Sequence, residues 1–165
     1  MSEIPRGGVS VRNIFSLISP ESQEGVGGKG TVMGIFGLPS TGKTRLIEQA
    51  IAKELKGDPN LRVLLWCDDP YEWDHQSLNH DLRSRLHLAE GRPDVIMGRL
   101  EKFITTNKCD LVCFDAPLFH HVYLGKNHPE PEFAASFFAE IVSIAITHGT
   151  RFVLVQSLMP DRVRG

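Results

Sequence analysis

Apolar positions along this chain alternate between two kinds of segment, and that alternation predicts the architecture. Runs that are apolar at nearly every position, 31–36, 61–67, 110–115 and 151–156, read as strands covered on both faces. Helically spaced segments lie between them. Residues 43–55 are the first, and leucines at 78, 82 and 86 predict a helix over 78–88 with Arg83, Arg85 and His87 elsewhere around it. After Pro93, Ile96, Leu100, Phe103 and Ile104 form one helical stripe, and 132–148 is a helix bracketed by Pro131 and Gly149. Four strands joined by helices predict an α/β fold, a three-layer α/β/α sandwich around a mainly parallel sheet. A fifth strand, usual in such domains, is missing from this reading, so 31–165 is either a minimal core or part of something longer. Residues 1–30 break the rhythm: a short apolar stretch at 9–18, then Ser19-Pro20 and the glycine-rich 25–30, predict an arm with one helical turn on a flexible linker.

Composition narrows the class without choosing a function. The 165 residues, 41% hydrophobic and 23% charged, suit one domain with a real core. A formal net charge of −2 provides no global attraction to nucleic acid or anionic membrane, so either partner would need a local patch. Cys67, Cys109 and Cys113 are an odd set, two of them within apolar runs, which predicts buried free thiols in a reducing, cytoplasmic setting. No window has the apolar length a bilayer requires, and residues 1–10 lack a signal core, so a soluble protein is expected.

The densest chemistry follows the first strand. Gly37, Leu38, Pro39, Ser40, Thr41, Gly42, Lys43 and Thr44 match G-x-x-x-x-G-K-T, with Arg45 continuing into the helix. Glycines at those spacings let successive backbone N–H groups and the positive end of the helix converge on one anion. Lys43 would reach the β and γ phosphates of a nucleoside triphosphate, and Thr44 would hold Mg²⁺. The third strand ends in Asp115, and ligands of parallel sheets bind at the carboxyl ends of strands, which makes Asp115 the second metal-orienting group. The second strand ends in Asp68 and Asp69, with Glu72 and Asp74 beyond. A carboxylate there could polarise the attacking water, Asp69 and Asp68 ahead of Glu72, or the cluster could be a hydrated turn. Gln156 and Ser157 end the fourth strand, where an amide could sense a γ-phosphate or simply meet solvent. Arg162 and Arg164 could stabilise charge in a neighbouring subunit, touch nucleic acid, or be solvated.

With these motifs in this order, residues 28–165 resemble the RecA-like branch of P-loop ATPases, which includes recombinases, hexameric helicases and viral packaging motors. The resemblance implies that 37–44 is the Walker A loop, Asp115 the Walker B aspartate, the acidic end of the second strand the source of the catalytic carboxylate, and Gln156 the sensor. It further implies ATP and Mg²⁺ as ligands, single-stranded nucleic acid as a partner, and a homo-oligomeric ring or filament. The loop 116–131 would then take the place of the first nucleic-acid loop, and Phe119, His120, His121, Tyr123, Lys126 and His128 supply aromatic and cationic groups for stacking and phosphate contact. Aligned on Asp68 and Asp74, the recombinase catalytic glutamate falls on Pro70, and the adenine-stacking tyrosine falls near Ser77.

Two other functions share the loop. A small-molecule or nucleotide kinase would use Asp68 and Asp69 on a substrate hydroxyl and Arg162 and Arg164 over the phosphates, although no arginine-rich lid separates the third and fourth strands. An accessory subunit would bind ATP without hydrolysing it, in keeping with Pro70. Strand order separates the first pair: RecA-like proteins insert a strand between the Walker A and Walker B strands, and kinases leave those strands adjacent. Zinc at Cys109 and Cys113 is disfavoured, because a strand turns neighbouring positions to opposite faces.

Overall fold

The computed structural model describes residues 29–67, 79–91, 93–115 and 131–157. Its elements run β1 Val32–Gly37, α1 Lys43–Gly57, β2 Val63–Cys67, α2 His80–Ser84, β3 Leu86–Ala89, α3 Pro93–Asn107, β4 Leu111–Asp115, α4 Pro131–His148 and β5 Arg151–Ser157. The five strands form one all-parallel sheet in the order β1-β5-β4-β2-β3. All carboxyl ends therefore share one edge. β5, the last of the described strands, lies between β1 and β4.

Strand alternation builds two cores. On one face Val63, Leu65, Cys67, Leu111, Cys113, Val153 and Val155 pack under Ile47, Ile51 and Leu55 of α1 and Leu82 of α2. On the other, Leu64, Trp66, Val112, Phe114, Phe152 and Leu154 meet Met97, Leu100 and Ile104 of α3 and Phe137, Ile141, Ile144 and Ala145 of α4. Phe114 centres this second core. Its ring stacks on Phe152 at 6.3 Å, and Phe137 approaches it edge-on at 5.7 Å. Cys109, which precedes β4, belongs to one core and Cys113, within it, to the other, so the two thiols lie on opposite faces of the sheet. Burial pushes them up, to about 11 and about 12, and leaves them inert.

Two expectations need correction. The helix predicted over 78–88 is in fact a five-residue helix, α2, followed after Arg85 by the edge strand β3. Asn79 caps α2, its Oδ1 accepting the Leu82 N–H at 3.0 Å, and Leu82 is buried in the core whereas Leu86 is only half-buried. Leu86 and Leu88 instead belong to β3, which pairs with β2. The sheet accordingly has the fifth strand that the sequence reading lacked. It is supplied within the domain, at the far edge. Among the described residues no helix is long and apolar enough to cross a membrane.

Candidate functional site

The loop at 37–44 leaves the carboxyl end of β1 and enters α1. Ser40 and Gly42 take left-handed backbone conformations, with φ of 60° and 82°. Those two reversals curl the chain tightly, and glycine adopts the second without a Cβ penalty. A Cβ at Gly37 would stand 3.3 Å from Thr41 Oγ1 and 3.5 Å from Lys43 Cδ, so the loop closes on itself across Gly37. Thr41 Oγ1 donates to Leu38 O at 2.8 Å, and Lys43 Nζ donates to the same carbonyl at 2.6 Å. The ammonium is thus folded back over the loop rather than extended into solvent.

α1 begins bare. Its N-cap is Gly42, no side chain accepts from its first N–H groups, and its first turn holds no acidic residue. Uncapped N–H groups and the positive helix end favour an anion, and Lys43 adds a full charge beside them. Thr44 is half-buried in the same turn, and Arg45 is exposed.

Asp115 closes β4 at the same edge. It is in register with Cys67 of β2 and Val155 of β5, half-buried, and follows Leu111 and Cys113 on the face that α1 covers. The fold therefore brings the loop, Lys43, Thr44 and Asp115 to one edge and one face. Gln156 reaches the same edge but follows Phe152 and Leu154 on the face that α4 covers, where its Nε2 donates to Ser157 O at 3.2 Å. Ser157, in register with Gly37, continues the parity of Val153 and Val155 on the α1 face. That parity was readable in the strand and marks Ser157 as the polar group on the loop side.

Among the described residues no group of three or more His, Cys, Asp or Glu side chains could hold a metal. Mg²⁺ rarely uses such a cage, since one or two carboxylates plus phosphate oxygens and water suffice. The Asp115 carboxylate and the Thr44 hydroxyl could contribute to such a set. Asp68, Asp69, Glu72, Asp74, the loop 116–130, Arg162 and Arg164 lie outside the described residues, as does the arm before Lys29.

Two cationic anchors hold the loop-bearing helix in place. Arg151, at the start of β5, approaches Glu54 of α1 at 3.5 Å, with both side chains only 10% exposed. Burial pushes the Glu54 carboxyl above its ordinary range, against the opposing pull of Arg151. Arg85 secures the helix end: Nη2 donates to Leu55 O at 2.8 Å and Nη1 to Asp58 O at 2.7 Å. These residues carry no motif, and only three-dimensional proximity identifies them.

The chain matches no protein-family model and no curated protein sequence.

Proposed function

We propose that this chain is a Mg²⁺-dependent ATPase of the RecA-like kind, whose ATP cycle acts on single-stranded nucleic acid in a ring or filament of like subunits. The observation that carries this reading is the position of β5 between β1, which feeds the glycine loop, and β4, which ends in Asp115. RecA-like ATPases insert a strand there, and kinases do not, so the order favours hydrolysis over transfer to a small acceptor.

In this reading the backbone N–H groups of 37–44 and the Lys43 ammonium hold the β and γ phosphates, and Thr44 and Asp115 hold Mg²⁺. The ion supplies charge neutralisation on the phosphate oxygens. Asp69 or Asp68 orients and deprotonates the attacking water, and the end of β5 senses the terminal phosphate. Arg162 and Arg164 remain the charge-stabilising candidates. Support for a nucleic-acid partner comes from the sequence of 116–131, with its Phe119, Tyr123, Lys126 and histidines.

The test is ATP hydrolysis by the full chain with and without Mg²⁺ and single-stranded DNA or RNA, beside Lys43→Ala and Asp115→Asn. Turnover stimulated by nucleic acid, and reduced about 100-fold or more in each variant, is the expected result. Phosphoryl transfer to an added acceptor instead of water would replace this reading with a kinase. Tight ATP binding with no turnover under any condition would replace it with an accessory subunit.

A further inference from the structure

Gln156 is the sensor that the RecA-like resemblance implies, yet the parity of β5 turns its neighbour toward the loop. Val153 and Val155 pack on the face that α1 covers, and Ser157 follows them at the same parity. Phe152 and Leu154 pack on the face that α4 covers, and Gln156 follows those.

Ser157 stands in a row with two groups of the site. Its register partner in β1 is Gly37, the first residue of the loop, about 4.8 Å away across the ladder. Met33 and Ile35 pack against the core under α1, so Gly37, the next position of that parity, would point a Cβ to the same face as Ser157. Such a Cβ would stand 3.5 Å from Lys43 Cδ and 4.0 Å from Lys43 Nζ, which places the lysine over Gly37 on that face. On the other side, Asp115 of β4 is in register with Val155, two residues before Ser157. One strand spacing and two residues of rise separate Asp115 from Ser157, about 8 Å between Cα atoms. Because β5 lies between β1 and β4, Ser157 sits between the lysine and the aspartate rather than outside them.

We infer that the Ser157 hydroxyl, and not the Gln156 amide, contacts the terminal phosphate of the bound nucleotide. This rests on the nucleotide site proposed above. There Lys43 serves the β and γ phosphates and Asp115 serves the ion that neutralises them, so the terminal phosphate belongs over the strand between the two, which ends in Ser157. A serine side chain is short and its O–H can donate to a phosphate oxygen, whereas a longer side chain at this position would fill the space that the phosphate needs. A hydrogen bond to an ionised acceptor is among the stronger kinds, and a nucleoside diphosphate has no oxygen at that place to accept it. The hydroxyl therefore makes the site prefer a triphosphate to a diphosphate. Gln156 has its Nε2 on Ser157 O at 3.2 Å, and the sheet lies between its face and Lys43. Its bond ties down the peptide that carries the serine.

The test is equilibrium binding of ADP and of the β,γ-imido analogue of ATP, each with Mg²⁺, to the full chain, beside Ser157→Ala, Gln156→Ala and Lys43→Ala. Ser157→Ala is expected to bind the triphosphate analogue about tenfold more weakly and ADP within about twofold of the parent, so the ratio of the two affinities falls about tenfold. An unchanged ratio in Ser157→Ala would overturn the inference, and so would a fall of that size in Gln156→Ala in its place. Failure of the nucleotide site itself has a different signature. The parent then binds neither nucleotide, or Lys43→Ala binds both as the parent does, and either result removes this inference together with the reading it rests on.

Discussion

His87 shows how one side chain carries a cost that the sequence does not reveal. It lies on β3, its ring edge-on to Phe103 at 5.6 Å, and its Nε2 is buried with no hydrogen-bond partner. Burial, with a smaller contribution from Arg62, lowers its pKa below the ordinary 6.5. The unfolded chain therefore takes up this proton first as pH falls, and stability drops as pH decreases from about 6.5 toward the lowered native value. Leucine at this position needs neither a proton nor a partner. Urea unfolding at pH 7.5 and pH 5.5 should show a smaller loss of stability on acidification in His87→Leu than in the parent. An equal loss would mean that His87 titrates alike in both states. The loop residues are the opposite case, because Gly37, Gly42, Lys43 and Thr44 were legible as a motif: their roles depend on backbone conformation and on neighbours within eight positions. His87 was read as one polar point on a helix, since its burial is set by α3, a remote element.

At the scale of elements, the fold turns on how α1 is held to β5. The Glu54–Arg151 contact is nearly dry, and the raised pKa of Glu54 says that desolvation outweighs the attraction of its partner. Such a pair is costly to break and cheap to replace whole. Glu54→Leu or Arg151→Met alone should destabilise by about 3 kcal/mol in denaturant unfolding, each leaving a buried charge behind, and the double variant should return close to the parent. Additive losses would mean that the two side chains act independently. Glu54 also holds its proton to higher pH in the native state, so its contribution to stability declines as pH rises above its ordinary 4.5 toward the raised value. Neither partner stood out in the sequence, where Arg151 reads as the polar start of an apolar strand and Glu54 as a helix-surface acid. Edge strands escape in the same way. Leu86-His87-Leu88-Ala89 is a four-residue period-two pattern that overlaps a four-residue leucine spacing, and Asn79 capping was the signal that α2 starts late. The long apolar runs of β2, β4 and β5 were legible because central parallel strands bury both faces.

Across the whole molecule, the loop depends on contacts made very far along the chain. β1 is held by β5, with Val32 in register with Phe152, so the strand that carries Gly37 is fixed by a contact with the far end of the described chain. Strand order of this kind is invisible to periodicity, since every strand in a parallel sheet presents the same apolar pattern, and the sequence alone left RecA-like and kinase orders both open. The same dependence links ligand to global stability. A ligand bound at the loop engages α1 and β1 together and has no site in the unfolded chain, so it stabilises by mass action. At a concentration 100 times its Kd, MgATP should add about 2.7 kcal/mol, a rise in Tm of about 5–10 °C for a domain of this length. Lys43 is exposed enough that alanine there should leave the ligand-free Tm within about 2 °C of the parent, because its contacts are with the loop's own Leu38 and Thr41. Thermal unfolding with and without MgATP therefore separates the roles: the rise should vanish in Lys43→Ala with its baseline unchanged. A baseline that collapses in Lys43→Ala would make the lysine a structural clasp of the loop. A rise that persists there would place the nucleotide elsewhere on the molecule.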